Sequence, residues 1–276
     1  MLLRLYNLRF MGCLLLLSNF FNQANCCEEA QTASSYMLAT GHTGKERLDK
    51  IHEAYGSLSP LESFPPLPEH AKILSVGCGT GVRECQMAQC WPHMHITAVD
   101  NSEDQLTVAR ERASDLWLTN IDFILGDANN LSYIKGYDLV YARLLLIHVK
   151  NPELVLKGIV SAAKPGAPII CEEISSSSFF YEPYNKFYEQ ALQLTQEVAH
   201  KMGVDYDIGI KLKVIMESLG CKNVTLHQYQ PDRTDENVKM QLQLALTEAK
   251  PKLILAGFDE QRLDVLLQGL DEFAKE

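Results

Sequence analysis

The stretch Ile73-Leu74-Ser75-Val76-Gly77-Cys78-Gly79-Thr80-Gly81 constrains this chain more than any other, because an apolar run breaks there into three glycines at alternate positions. Ile73, Leu74 and Val76 suit a strand buried on both faces, and residues 82–88 suit the helix that follows. A strand that turns into a helix through glycines is the first crossing of a parallel α/β sheet. There the backbone can approach a ligand closely, and the amides at the helix N-terminus favour an anionic group. The spacing is GxGxG, which differs from the GxGxxG of dinucleotide-binding turns.

The same unit recurs downstream. Residues 95–100 form a second strand ending in Asp100, and Asn101-Ser102 cap the next helix. Residues 121–127 form a third strand that again ends in an acid, Asp127, and residues 137–142 form a fourth. A helix over 152–163 stops at Lys164-Pro165-Gly166, a turn signal, and residues 167–173 form the fifth strand. Strands alternating with helices at this interval predict a doubly wound, mostly parallel sheet. Upstream, Leu48, Ile51, His52 and Tyr55 recur at helical spacing, and residues 60–68 are a proline-rich linker. Beyond Glu173 the spacing predicts helices over 184–202, 208–219, 235–256 and 259–274, with one alternating strand over 223–229.

Net charge is −10 and no basic run reverses it locally, which argues against a nucleic-acid partner. The eight cysteines form no CxxC units, so no metal site is expected. Arg4 and Arg9 precede the apolar residues 10–21, a pattern like the charged and apolar regions of a signal peptide. That apolar stretch is too short for a stable membrane span.

In this order and at these intervals, GCGTG at 77–81, Val99-Asp100, Gly126-Asp127-Ala128 and Lys164-Pro165-Gly166 resemble the class I S-adenosylmethionine (SAM)-dependent methyltransferases. The segments at 36–41, 46–48 and 143–153 resemble the small-molecule branch of that family. The resemblance implies a Rossmann-like methyltransferase sheet with a helical cap and a small-molecule acceptor. It implies that Gly77, Cys78, Gly79 and Gly81 wrap the methionine half of SAM and that Asp100 accepts from the ribose hydroxyls. Asp127 and Ala128 would meet the adenine, Ala142 and Arg143 would close the site, and Tyr36 and Asn101 would add contacts. Ser75 stands where many relatives carry an acid, keeping a hydrogen bond and giving up the charge.

The family sheet ends in an antiparallel strand, and no β-rich segment follows Ala274, so the sheet is expected to be one strand short with that strand missing. The organisation expected is a signal-like or disordered segment over 1–30 and a methyltransferase domain over 31–276. Within that domain, 31–68 is a helical cap, 69–174 the cofactor-binding core, and 175–276 cap helices and an edge strand. A cytosolic cofactor places the protein in the cytoplasm, with export through residues 1–30 as the alternative. Candidate catalytic groups are His148, Glu172 and Glu173, near the carboxyl ends of strands, and Tyr181 and Tyr184 are candidates for the acceptor wall. Two other functions stay open at this level: a SAM-binding protein without catalysis, and an NAD-dependent oxidoreductase on a similar sheet.

Overall fold

The computed structural model describes residues 3–8, 38, 40–55, 60–131, 134–178, 184–229 and 236–275. Among these residues seven strands form one sheet: β1 (Leu3–Leu8), β2 (Lys72–Val76), β3 (His95–Asp100), β4 (Ile121–Leu125), β5 (Leu139–Arg143), β6 (Ile169–Ile174) and β7 (Val224–Tyr229). Their order is β4-β3-β2-β5-β6-β1-β7 and every pairing is parallel. The glycine-loop strand β2 therefore sits between β3 and β5, where the order of winding reverses and a crevice opens at the strand ends.

Among the described residues, eight α-helices accompany the strands: α1 (Gly41–Tyr55), α2 (Val82–Cys90), α3 (Glu103–Asp115), α4 (Pro152–Ala162), α5 (Lys186–Met202), α6 (Ile208–Ser218), α7 (Glu236–Leu255) and α8 (Glu260–Ala274). Alternate residues of the central strands feed two separate cores, as the period of a strand requires. Ile73, Leu139, Tyr141 and Ile170 pack with Met87 and Ala88 of α2 and with Phe64. Leu74, Val76, Val140, Ala142 and Cys171 pack on the other face with α4 and with the large helical layer of α5–α8. Both faces are covered, which is why β2 and β5 read as continuous apolar runs. Several starts are set locally: Ser102, Asn151, Asn185 and Asp259 each accept a backbone N–H in the first turn of α3, α4, α5 and α8.

One expectation is corrected here. No antiparallel strand occurs among the described residues, yet the sheet is not one strand short. The place between β6 and β7 is filled by β1, in register from Leu3 against Ile169 and Val224 to Leu8 against Ile174 and Tyr229. Residues 3–8, assigned from composition to a separable leader, thus lie inside the sheet. The physical reason is that β6 and β7 each have an edge to be paired, and a parallel strand serves it as well as an antiparallel one. The rest of the leader-like segment, with Tyr36, falls outside the described residues. Among the described residues no helix is long and apolar enough to cross a membrane.

Candidate functional site

A cavity of about 450 Å³ lies over the carboxyl ends of β2, β3 and β5, with α1 across it. Val76, Val99, Asp100 and Arg143 line it from the strand ends, and Gly77 to Thr80 line it from the glycine loop. Gly79 and Gly81 both have left-handed backbones, with φ of +54° and +70°. They do different work. A Cβ on Gly81 would stand 2.8 Å from Ala109 and 2.9 Å from the Phe123 ring, so this glycine lets α2 close onto α3 and β4. A Cβ on Gly79 would meet only Leu48 Cδ1, at 3.8 Å, so this glycine leaves room at the cavity wall. Gly81 itself does not line the cavity.

Asp100 is committed to the loop before any ligand arrives. Its Oδ2 accepts the Gly79 N–H at 2.8 Å and its Oδ1 accepts the Ser102 N–H at 3.0 Å. Burial raises its pKa, against the pull of the Gly79, Ser102 and Asn101 amides. Each oxygen retains a second lone pair, which is what a pair of ribose hydroxyls needs. Asp127, Ala128 and Asn101 also line the cavity. Asp127 is exposed, and its Oδ1 accepts from both the N–H and the side-chain amide of Asn129. This set of acceptors fits the hydroxyls and amino group of a nucleoside such as that of SAM.

Ser75 does not line the cavity. It is buried and donates to Glu84 Oε1 at 2.6 Å, and Glu84, in the first turn of α2, lines the cavity instead. A carboxylate therefore stands on this wall after all, carried by the helix and not by the strand. Burial pushes its pKa up to about 7, against the Ser75 hydrogen bond and the nearby Arg83 and Arg143. Sequence reasoning missed Glu84. The available signal was an Arg-Glu pair in the first turn of a helix that enters the core.

Arg143 lines the cavity and Ala142 does not: Ala142 is buried in the sheet, in register with Val76 and Cys171. Arg143 and Glu172 are register partners on β5 and β6, with Nε 3.5 Å from Oε2, and Tyr141 donates to the same Oε2 at 2.8 Å. Glu173 points to the opposite face. Its Oε1 accepts the N–H of Leu145 at 2.9 Å and of Leu146 at 2.6 Å, and burial pushes its pKa up to about 8. Neither acid reaches the cavity wall, so both are corrected from candidate catalysts to groups that position others. Glu172 holds Arg143, and Glu173 holds the loop that carries His148. That loop is strained, with Leu144 at φ +51°.

His148 does line the cavity. Burial, helped by Arg47, lowers its pKa to about 3, so the imidazole is neutral at working pH. His52 on α1 is likewise held neutral, at about 4, by burial and then by Arg143, Arg83 and Arg112. Its Nδ1 lies 3.5 Å from Arg143 Nη1, which donates to it. Arg47, Leu48, Ile51 and His52 present one stripe of α1 to the cavity, at the spacing of a helix face. Two ion pairs hold that helix down: Arg47 to Glu248 of α7 at 2.8 Å, and Asp49 to Arg112 of α3 at 2.6 Å. Sequence reading had residues 46–48 as part of a segment resembling the family's cap and His52 as cap surface or packing. Tyr184 is exposed and away from the cavity, with its hydroxyl on Glu189; Tyr181 lies outside the described residues. Among the described residues no cluster of His, Cys, Asp and Glu is arranged to hold a metal ion.

Comparison with known proteins places these features among relatives. Residues 67–214, more than half of the chain, match the family model described as a methyltransferase domain. The chain is 25% identical to (S)-tetrahydroprotoberberine N-methyltransferase from Eschscholzia californica, over 52% of this chain and 39% of that protein. It is 25% identical to phosphoethanolamine N-methyltransferase 1 from Triticum aestivum, over 72% of this chain and 37% of that protein. Each match thus takes in well under half of the relative's own length. Among solved structures, phosphoethanolamine N-methyltransferase 2 from Haemonchus contortus in complex with S-adenosyl-L-methionine is similar at 17% identity. It covers 87% of this chain and 50% of that one, with a TM-score of 0.48.

Proposed function

This chain belongs to the family of methyltransferase domains, and from that premise we propose that it transfers a methyl group from SAM to a small-molecule acceptor. The observation that carries the reading is the cavity itself. It combines a GxGxG loop with room at Gly79, a half-buried acid at the end of β3 and a second acid after β4. Its volume of about 450 Å³ suits a small molecule. Relatives named as N-methyltransferases of tetrahydroprotoberberine and of phosphoethanolamine support an acceptor of that size.

When bound, SAM supplies an electrophilic methyl on a sulfonium. The chain's own work is then orientation and exclusion of water more than acid–base chemistry. Asp100 and the loop amides hold the nucleoside end, and Glu84 offers the methionine end a carboxylate that Ser75 holds in place. His148, held neutral, accepts a hydrogen bond from the nucleophile through one ring nitrogen and orients it, and with a pKa near 3 it is too weak a base to keep the nucleophile's proton. The helices over 31–68 and 175–276 act as the cap around the acceptor, and 69–174 as the cofactor-binding core.

Calorimetry tests the first half: the full chain should bind SAM and S-adenosylhomocysteine, and should ignore NAD. A response to NAD and none to SAM would overturn the reading. Incubation with methyl-labelled SAM and a small-molecule extract tests the second, with mass spectrometry expected to find label in a low-mass product. Label found only in the macromolecular fraction would replace the acceptor class.

A further inference from the structure

His148 and His52 both line the cavity and both are held neutral, and the contacts of His52 decide which of its nitrogens carries the proton. Arg143 Nη1 stands 3.5 Å from His52 Nδ1. A guanidinium has donors and no acceptor, so Nδ1 offers its lone pair and the ring proton stays on Nε2. Among the described residues no hydrogen bond occupies Nε2. His52 therefore brings one N–H to the cavity and no free lone pair.

Arg143 is held in turn from the sheet. Its Nε pairs with Glu172 Oε2 at 3.5 Å, and Tyr141 donates to the same oxygen at 2.8 Å. Glu172 and Tyr141 are both buried, and Arg143 and Glu172 stand in register on β5 and β6. A carboxylate buried this way does not turn to solvent, so it fixes one edge of the guanidinium and leaves Nη1 to α1. The charges around the ring oppose a second proton: Arg143, Arg83 and Arg112 act on it against Asp49 alone. His52 thus neither gains a proton nor moves the one it has.

We infer that His52 is a fixed hydrogen-bond donor for methyl transfer, with Glu172 as the positioning residue that sets it through Arg143. The two histidines then have opposite roles. His148 accepts from the nucleophile, whereas His52 donates to a lone pair on a bound ligand and takes no part as a base. The inference rests on the methyl-transfer reading and deepens it. Such a lone pair can come from the carboxylate of SAM or from the acceptor, and the test separates the two.

Proton–nitrogen NMR of the full chain, labelled at histidine and free of ligand, tests the relay. The His52 signals, assigned by their loss in His52→Gln, should show a protonated Nε2 and an unprotonated, hydrogen-bonded Nδ1. Glu172→Gln keeps an acceptor for Tyr141 and gives up the charge that holds Arg143, so the Nδ1 signal should shift. Glu173→Gln, the next residue on the opposite face, should leave that signal in place. A proton on Nδ1, or an equal response to the two glutamines, would overturn the inference. Should Glu172→Gln fail to fold, Arg143→Met replaces it, and an unmoved Nδ1 signal there counts equally against the relay. Calorimetry and label transfer test the donor. His52→Leu should lower S-adenosylhomocysteine affinity, or transfer from methyl-labelled SAM into a small-molecule extract, by about three- to tenfold. His52→Gln, whose amide still donates, should recover most of that loss. Weaker S-adenosylhomocysteine with 5′-methylthioadenosine unaffected supports donation to the cofactor's carboxylate, and weaker transfer with S-adenosylhomocysteine unaffected supports donation to the acceptor. No change in either quantity, or no recovery in His52→Gln, would remove the donor role. The relay signals in a chain that ignores SAM and S-adenosylhomocysteine would keep the fixed donor and remove the methyl-transfer reading alone.

Discussion

The two walls of the cavity are built on opposite plans. On the glycine-loop wall, the polar groups that face a ligand also hold the fold together: Asp100 accepts the Gly79 and Ser102 amides, and Glu84 accepts from Ser75. Those partners stand 21, 2 and 9 residues apart in the chain. On the cap wall, polar atoms are left over: Nη1 and Nη2 of Arg47 and Nη2 of Arg143 have no hydrogen-bond partner, while Arg143 Nε is ion-paired with Glu172. The bonds that place that wall are remote, Arg47 to Glu248 across 201 residues, His52 to Arg143 across 91 and Asp49 to Arg112 across 63. A wall whose ligand groups also serve the fold suits a constant ligand. A wall with spare donors can change its specificity without unfolding the sheet. Substitutions on the loop wall should therefore move stability and affinity together, and those on the cap wall should move affinity alone.

The largest effect is expected at Gly81. A valine there forces a branched side chain against Ala109 and Phe123 at a left-handed φ. Overpacking costs about 1–3 kcal/mol and the left-handed backbone about 1–2 kcal/mol more. A melting temperature lower by roughly 5–15 °C, read by calorimetry, is the expected result. An unshifted melt would break the claim that this loop is welded to the fold.

Asp100→Ala comes next, and the structure changes what sequence alone would forecast. Losing the acid removes ligand contacts, and hydrogen bonds to a charged acceptor are about 1.5–3 kcal/mol each, so S-adenosylhomocysteine affinity should fall roughly ten- to a hundredfold. It also strands two partly buried amides, those of Gly79 and Ser102, at up to about 1–3 kcal/mol. The melt should fall with the affinity. A weakened affinity with an unchanged melt would place Asp100 on the same plan as the cap wall.

Glu173 sharpens the comparison through pH. Its folded pKa, about 8, lies above its ordinary 4.5, so the folded state holds the proton more tightly than the unfolded chain does. Its stabilising contribution is present below about 4.5 and is lost as pH rises toward 8. Glu84, raised to about 7, acts with the same sign over a narrower window. His148 acts in the opposite sense, destabilising as pH falls below 6.5, where the unfolded chain protonates first. Chemical denaturation from pH 5 to 8 should show Glu173→Gln with a flatter loss of stability toward the alkaline end than wild type. Parallel slopes in the two proteins would show that this carboxyl is not buried as a neutral acid.

The smallest effect is expected at Asp49→Asn, which loosens α1 from α3 at a partly exposed pair. About 1 kcal/mol or less of stability should be lost. If α1 is a separable wall, S-adenosylhomocysteine affinity should still drop a few-fold in the same variant, measured by calorimetry. An equal response in both quantities would merge the two walls into one.

What the sequence determined by itself is the part written in short-range geometry. Three glycines at alternate positions, acids at or just past the ends of β3 and β4, and apolar runs at strand spacing specify the alternation of strands and helices and the loop at which the crevice opens, because turns, caps and strand faces are set by neighbours in the chain. The tertiary structure decided the rest. Leu3–Leu8 reads as part of a signal-like or disordered segment until it is seen paired between β6 and β7. Ser75 reads as a lost charge until Glu84 arrives from the helix. Arg47 reads as one more basic residue on a helix until Glu248, far along the chain, takes one of its nitrogens and leaves two buried without a partner. Each of these turns on which atoms burial leaves without water, and that is a property of remote contacts, not of local pattern.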